Sequence, residues 1–155
     1  MSEMDTAQSV VRSLENISKI LAETQSYWAD PLGITVPQWS ILTAIAELDD
    51  GNGIQLGDVA RRLRVDPSFV TAQTKLLEKN GQVLRRQSSE DGRVILLSLT
   101  KQAVKGLAGI ETKRSALNSF IFADFNKADL DALLSAFSIL EKRFQKAPLV
   151  LALDA

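Results

Sequence analysis

The stretch that decides the fold is DPSFVTAQTKLLEKNGQVLRRQSSEDGRVILLSLT, residues 66–100. Asp66 can accept a hydrogen bond from a first-turn N–H, and Pro67 suits the first position of a helix, so a helix begins here. Gly81 tolerates the left-handed conformation that ends many helices, so this helix stops after Asn80. The sequence therefore predicts a capped helix that is followed at once by a different element.

The second half of the stretch predicts a β-ribbon with a basic tip. Two runs, Val83 to Ser88 and Arg93 to Leu99, flank a polar turn at residues 89–92. A short polar turn with glycine between two such runs is typical of a hairpin. Thr100 then caps a further helix. A capped helix followed by a basic two-stranded ribbon is typical of a DNA-docking unit, the winged helix-turn-helix.

Three helices are predicted before this unit and two after it. Apolar residues at helical spacing predict the first helix over Thr6 to Trp28, and the Thr-x-x-Gln pattern at residues 35–38 begins the second. Leu56 to Leu63 forms a short third helix, and its tight connection to the next predicts a helix-turn-helix. Lys101 to about Phe122 forms the fifth, and Asn126 caps the sixth. The predicted order is α-α-α-α-β-β-α-α, mainly helical with one small sheet.

Composition excludes several classes of function. The chain has no cysteine and no histidine, which removes disulfide frameworks, thiolate metal sites and the commonest general base. The acidic pair Asp49-Asp50 lies in a glycine-rich turn without a neighbouring base, so we expect no enzyme, no metal site and no cofactor. The N-terminus does not resemble a signal peptide, and the apolar runs are too short to cross a bilayer. We therefore expect a cytoplasmic protein without membrane contact.

The distribution of charge favours a nucleic-acid partner more than the net charge of −1 does. Residues 1–60 carry 2 basic and 9 acidic side chains, whereas residues 61–93 carry 8 basic and 4 acidic ones, a balance of +4. Positive charge thus collects on the segment that would face phosphates. A solvated surface with the same excess by chance is the simpler alternative.

When the residues of the fourth helix are placed at 100° intervals around its axis, they fall on two opposite faces. The arc predicted to be buried holds Phe69, Val70, Gln73, Leu76 and Leu77. Small and hydroxyl-bearing residues on the opposite arc would let the helix approach base edges, and a basic ribbon tip suits a minor groove. Asp91 is also expected to pair with the Arg93 guanidinium. The candidate DNA-binding residues are Pro67, Ser68, Thr71, Ala72, Lys75, Arg85, Arg86, Ser88, Ser89, Asp91 and Arg93.

Four residues are candidates for a ligand site, each with a structural alternative. Gln73 lies within the apolar arc, where a buried amide needs a partner. It is either satisfied by a neighbouring backbone group or lines a ligand cavity beneath the helix. Tyr27, Trp28 and Trp39 cluster around the junction of the first two helices, where they form either core or a ligand cage.

With these residues in place, the chain resembles the MarR family (multiple antibiotic resistance regulator) of winged helix-turn-helix transcription factors. The resemblance covers residues 36–100, and several short motifs in register carry it. These are Val36-Pro37-Gln38-Trp39, Leu56 to Leu63, Leu77 to Gly81, Arg85-Arg86, Asp91-Gly92-Arg93 and Leu99-Thr100. The family often has arginine where Ala72 stands, so base preference does not carry over.

The resemblance implies a homodimer that binds double-stranded DNA at a pseudo-palindromic operator. The chain would be one domain, 1–155, with the reading head at 33–100 and dimerisation helices at 6–29 and 101–155. The fourth helix would enter the major groove and the wing the minor groove. Many members release DNA when a small aromatic acid or phenol binds. We therefore expect a ligand-responsive regulator, a repressor; the alternative is a winged-helix protein-interaction module without DNA binding, which would need a neutral or apolar reading face.

Overall fold

The computed structural model describes residues 2–153, which are mainly helical with one three-stranded sheet. The chain divides into two compact units between Glu111 and Thr112. The first unit contains six helical segments and the sheet. The second contains the end of a long helix that begins in the first unit and two further helices.

The first unit begins with a long helix, α1 (Glu3–Ala29), which starts earlier than the predicted Thr6. The reason is a capping box, in which Ser2 Oγ accepts the Asp5 N–H at 3.2 Å and Asp5 returns a bond to the Ser2 N–H at 3.0 Å. A 3-10 turn at Asp30–Leu32 then ends at Gly33, whose φ of 64° reverses the chain. Residues 30–33 therefore connect α1 to the second helix.

Three short helices form the centre of the first unit. They are α2 (Val36–Leu48), α3 (Leu56–Leu63) and α4 (Pro67–Lys79). The predicted capping box of α2 is confirmed, since Thr35 Oγ1 accepts the Gln38 N–H and Gln38 Oε1 accepts the Thr35 N–H. Arg64 turns the chain between α3 and α4 with a left-handed φ of 56°. The helix-turn-helix prediction is confirmed.

The sheet has one strand more than predicted. Strands β2 (Val83–Gln87) and β3 (Ile95–Leu99) form the expected antiparallel wing. A two-residue strand, β1 (Ile54–Gln55), pairs with β3 on its other side, with Ile54 opposite Leu97. Two residues are too few to show strand periodicity in a sequence, so this strand was missed. It joins the wing to the turn that precedes α3.

The core of this unit lies where the central helices meet the sheet. Fully buried apolar side chains from α2, α3, α4, β2 and β3 pack together. The largest of them are Ile41, Leu42, Ile45, Val59, Val70, Leu77, Val83 and Leu97. Because side chains from every one of these elements share one core, the packing fixes the position of α4.

The long helix α5 (Lys101–Ile121) begins as predicted at Thr100, whose Oγ1 accepts the Ala103 N–H at 3.1 Å. In the second unit, α6 (Lys127–Phe144) begins at Asn126 with the expected cap and a reciprocal bond to Asp129. A further helix, α7 (Ala147–Leu153), was not predicted. Pro148 does not prevent it because proline is tolerated in the first turn.

Two glycines of α5 give a matched test of packing. A Cβ atom at Gly106 would lie 2.7 Å from Leu32 Cδ2, whereas one at Gly109 would meet nothing within 4 Å. We expect Gly109→Ala to raise the free energy of unfolding by about 0.5–1 kcal/mol through helix propensity. Gly106→Ala should fall short of that gain by about 1 kcal/mol or more because Leu32 must move. Urea denaturation at equal protein concentration measures both, and equal effects would contradict this packing.

Candidate nucleic-acid interface

The start of α4 is fixed by Asp66. Its carboxylate accepts the Ser68 N–H at 2.7 Å, and its carbonyl accepts the Phe69 N–H at 3.0 Å. Hydrogen bonds from the Ser68 side chain, and then from its backbone, lower the pKa of Asp66. The carboxylate is therefore ionised at neutral pH, and the cap is lost only when the pH falls through that lowered pKa. The helix ends before Gly81, whose φ is 70°.

One face of α4 carries the small and polar residues that the sequence singled out. Ser68, Ala72 and Lys75 are exposed and Thr71 is half-buried; these four residues are called the reading face below. Pro67 is exposed beside them. Thr71 Oγ1 donates to the Pro67 carbonyl at 2.9 Å, so its hydrogen is already used within the helix. The hydroxyl therefore remains as an acceptor.

The buried arc of α4 differs from the predicted one. Phe69 and Leu76, expected to be buried, are 38% and 49% exposed, whereas Thr74 is fully buried beside Val70 and Leu77. The helix is rotated so that Thr74 faces the core, which it can do because its hydroxyl donates to the Val70 carbonyl at 2.7 Å. A wheel drawn on hydrophobicity alone misplaces such a satisfied hydroxyl.

The tip of the wing is a tight polar turn. Asp91 Oδ1 accepts the backbone N–H of Arg93 at 2.9 Å, and Ser88 Oγ accepts the Glu90 N–H at 3.2 Å. Asp91 thus shapes the backbone under Arg93, whereas the sequence predicted a bond to the guanidinium. Ser89, Asp91 and Arg93 are exposed and Ser88 is half-buried. The turn presents the Arg93 side chain to solvent.

The two arginines of β2 occupy different environments. Arg86 is exposed and donates from Nη2 to the Asn52 carbonyl, in the turn before β1. Only 12% of the Arg85 side chain is exposed, and its guanidinium is bonded to α4. Alternation along a strand could have placed them on opposite faces, but their partners could not be read from the sequence. Arg85 therefore differs from the other candidate DNA-binding residues.

The four candidate ligand residues lie in different environments. Trp39 is buried in the core, Trp28 packs against the core, and Tyr27 is 73% exposed. Gln73 Oε1 accepts from Gln38 Nε2 at 3.1 Å, so its partner is a side chain of α2 and not the backbone group that was expected. These contacts favour the structural alternative for the two tryptophans.

Two cavities lie elsewhere. One, of about 350 Å³, opens at the end of α2 between Ile45, Leu99 and Leu107. The other, of about 370 Å³, lies in the second unit between Leu140, Phe144 and Val150 and is almost wholly apolar. Neither is lined by a candidate ligand residue.

Within residues 2–153, no group of three or more acidic residues is arranged to hold a metal ion. Over the same range, no helix has the length and hydropathy needed to cross a bilayer.

Large apolar side chains are exposed on α1, α6 and α7. On α1 they include Ile17, Ile20 and Leu21, and on α7 they include Leu149, Val150 and Leu151. On α6 they are Leu134, Phe137, Ile139 and Phe144. Exposed apolar surface of this extent usually marks a protein interaction site.

Comparison with known proteins yields matches to the same segment and the same fold. A family model described as MarR family matches residues 34–95, which span α2 through the start of β3. The uncharacterised HTH-type transcriptional regulator YwoH of Bacillus subtilis (strain 168) is 29% identical over 128 residues, covering 83% of this chain and 90% of YwoH. The crystal structure of the MarR family transcription regulator SP03579 superposes with a TM-score of 0.80 at 17% identity, covering 94% of this chain and 95% of that one. A structure of overoxidized AbfR bound to DNA gives a TM-score of 0.66 at 20% identity, covering 92% and 96%.

Proposed function

The chain belongs to the MarR family, and from this premise we propose that it is a transcriptional repressor that binds a pseudo-palindromic operator as a homodimer and is released by a small aromatic or phenolic effector. Members of the family are transcriptional regulators and not enzymes. We propose the cytoplasm as its location, because its target is DNA.

The observation that carries the proposal is the pairing of the reading face with an exposed basic wing. Ser68, Thr71 and Ala72 are small, so this side of α4 can lie against base edges, and Lys75 further along the helix can meet a phosphate. Arg93 at the tip of the wing suits the negative potential of a narrow minor groove. A protein-interaction module would be expected to present a neutral or apolar face at this position.

Not every candidate residue has the same role in the proposal. Pro67 and the reading face would meet the major groove, and Ser88, Ser89 and Arg93 would meet the backbone or minor groove. Asp91 would act through the turn that it shapes, and Arg86 would combine a phosphate contact with its bond to Asn52. The reading head at 33–100 would thus hold all DNA contacts.

The dimer would be formed by the helices outside the reading head, at 6–29 and 101–155. Their exposed apolar side chains need a cover, and two copies related by a two-fold axis provide it. Homodimers and responses to small molecules are typical of the family. Twin reading heads would meet half-sites roughly 34–36 Å apart.

An effector near Gln73 and Trp28 would have a direct route to the reading face. Gln73 lies on α4, and its bond to Gln38 connects that helix to α2. An aromatic ligand that competes for either amide would shift α4 against α2. Tyr27 and Trp39 are the other two residues of the proposed effector site, and Trp39 would contribute to it from its buried position in the core.

The proposal is tested by selecting binding sites from a random-sequence duplex library. We expect an inverted repeat, and binding that weakens steeply with salt because several phosphates are neutralised. Salicylate and related phenolic acids, added to the complex with the selected duplex, should release the protein and change its tryptophan fluorescence. A flat salt response with no selected repeat would favour the interaction module, and unchanged binding and fluorescence across the acids would remove the effector.

A further inference from the structure

Arg85, the largely buried arginine of β2, lies at the joint between the wing and α4. Its Nη1 donates to the Thr71 carbonyl at 3.2 Å and to Thr74 Oγ1, and its Nε lies 3.8 Å from a Glu78 carboxylate oxygen. The three partners are spaced i, i+3 and i+7, so they share one side of α4 over two turns. A single side chain of the wing therefore holds a long section of the helix.

Thr74 is suited to this contact. Its hydroxyl hydrogen is donated to the Val70 carbonyl at 2.7 Å, which leaves an oxygen lone pair to accept from Arg85. The residue is fully buried, so the guanidinium bond is made away from competing water. A planar guanidinium spreads five N–H donors over three nitrogens, so different nitrogens can face α4 partners on successive turns, whereas the three donors of a lysine all lie on one nitrogen.

We propose that Arg85 is a positioning residue, which fixes the rotation of α4 against the wing and makes no phosphate contact. This inference rests on the proposed DNA-binding function. Thr71, whose carbonyl Arg85 binds, belongs to the reading face, so any change in this joint moves a base-reading side chain directly. Loss of Arg85 therefore affects the choice of sequence, whereas loss of an exposed wing arginine affects all sequences alike.

The test compares two variants that each remove one guanidinium. Arg85→Met is combined with Glu78→Gln so that the net charge of the wild type is kept, and Arg93→Met serves as the exposed control. For each protein, affinities for the selected operator and for an unrelated duplex are measured across a salt series. Circular dichroism and the thermal midpoint establish that each variant is folded.

For the Arg85→Met/Glu78→Gln variant, we expect the ratio of operator to unrelated affinity to fall by about tenfold or more, as one misplaced base contact per half-site would cause. The slope of log affinity against log salt should stay at the wild-type value. Arg93→Met should make that slope less steep, by about 2 for a dimer, because two phosphate contacts are lost. The ratio of operator to unrelated affinity should change less than in the Arg85 variant.

An unchanged ratio, or a slope that falls as in Arg93→Met, would overturn the assignment of Arg85. Wild-type protein without salt-dependent duplex binding would instead overturn the proposed function, and the inference with it. Thr74→Val, which keeps the shape of the buried side chain, covers the case in which the Arg85 variant does not fold. A folded Thr74→Val protein with an unchanged ratio would also overturn the proposal.

Discussion

Replacing Phe137 with glutamate is expected to convert the proposed dimer to monomers of 17.0 kDa. Phe137 lies at the centre of the α6 stripe formed with Leu134, Leu140 and Phe144, and 40% of it is exposed in a single chain. If a second copy covers this stripe, the substitution places two carboxylates in an apolar interface, where unpaired charges are costly. Sedimentation equilibrium measures the mass directly.

If Phe137→Glu prevents dimerisation, the affinity for the operator should also decrease. Two reading heads on one dimer bind a two-half-site duplex with an avidity that a monomer lacks, so we expect a loss of about a hundredfold or more. Ser135→Glu is the matched control, because Ser135 is exposed on the opposite face of α6 and should leave mass and affinity unchanged. A Phe137→Glu protein that remained a dimer with full affinity would show that α6 is not the interface.

Replacing Arg93 with alanine is expected to weaken binding to operator and unrelated duplexes by a similar factor, about tenfold or more at low salt. The side chain extends from an exposed turn whose backbone is held by Asp91, so its removal should not disturb the fold. Because each dimer loses two such groups, the salt slope should fall by about 2. Fluorescence anisotropy over a salt series gives both quantities.

The dimer should survive this change, since the wing lies outside the helices proposed to pair. Arg12→Ala is the control, because Arg12 is an exposed arginine of α1 whose guanidinium bonds only Ser9 among the described residues. Since α1 is one of the helices proposed to pair, sedimentation equilibrium must first show that this variant has the wild-type mass. It removes the same charge from a residue outside the proposed reading head and should leave the salt slope unchanged. Full affinity in the Arg93→Ala protein would show that the wing does not contact DNA.

Local chemistry explains which parts of the fold were predictable. The caps at Thr35, Asp66 and Asn126 and the stop at Gly81 are decided within a few residues, and each was predicted at its observed position. β1 was missed because its two residues are a strand only through their pairing with β3. Its stability is a tertiary effect that no short window of sequence carries.

The candidate site was predictable only in part for the same reason. The sequence identified an exposed polar side of α4 and a basic wing, since composition and spacing determine them. The roles of Thr74 and Arg85 depend on a contact between residues 11 apart in the chain, and Gln73 depends on a partner 35 residues away. Such partners are set by packing, so sequence patterns alone do not reveal them.

The cap that Asp66 places on α4 determines how this helix can approach an anion. Pro67 has no N–H, the Ser68 N–H is held by the carboxylate, and the Phe69 N–H is held by the Asp66 carbonyl. Many helices bind a phosphate through free backbone N–H groups and the positive end of the helix dipole at their N-terminus. In α4 the Asp66 carboxylate already takes this position. A duplex meeting α4 end-on would encounter a negative group and no free N–H among residues 67–69, so the proposed contact of this helix with DNA is expected along its flank.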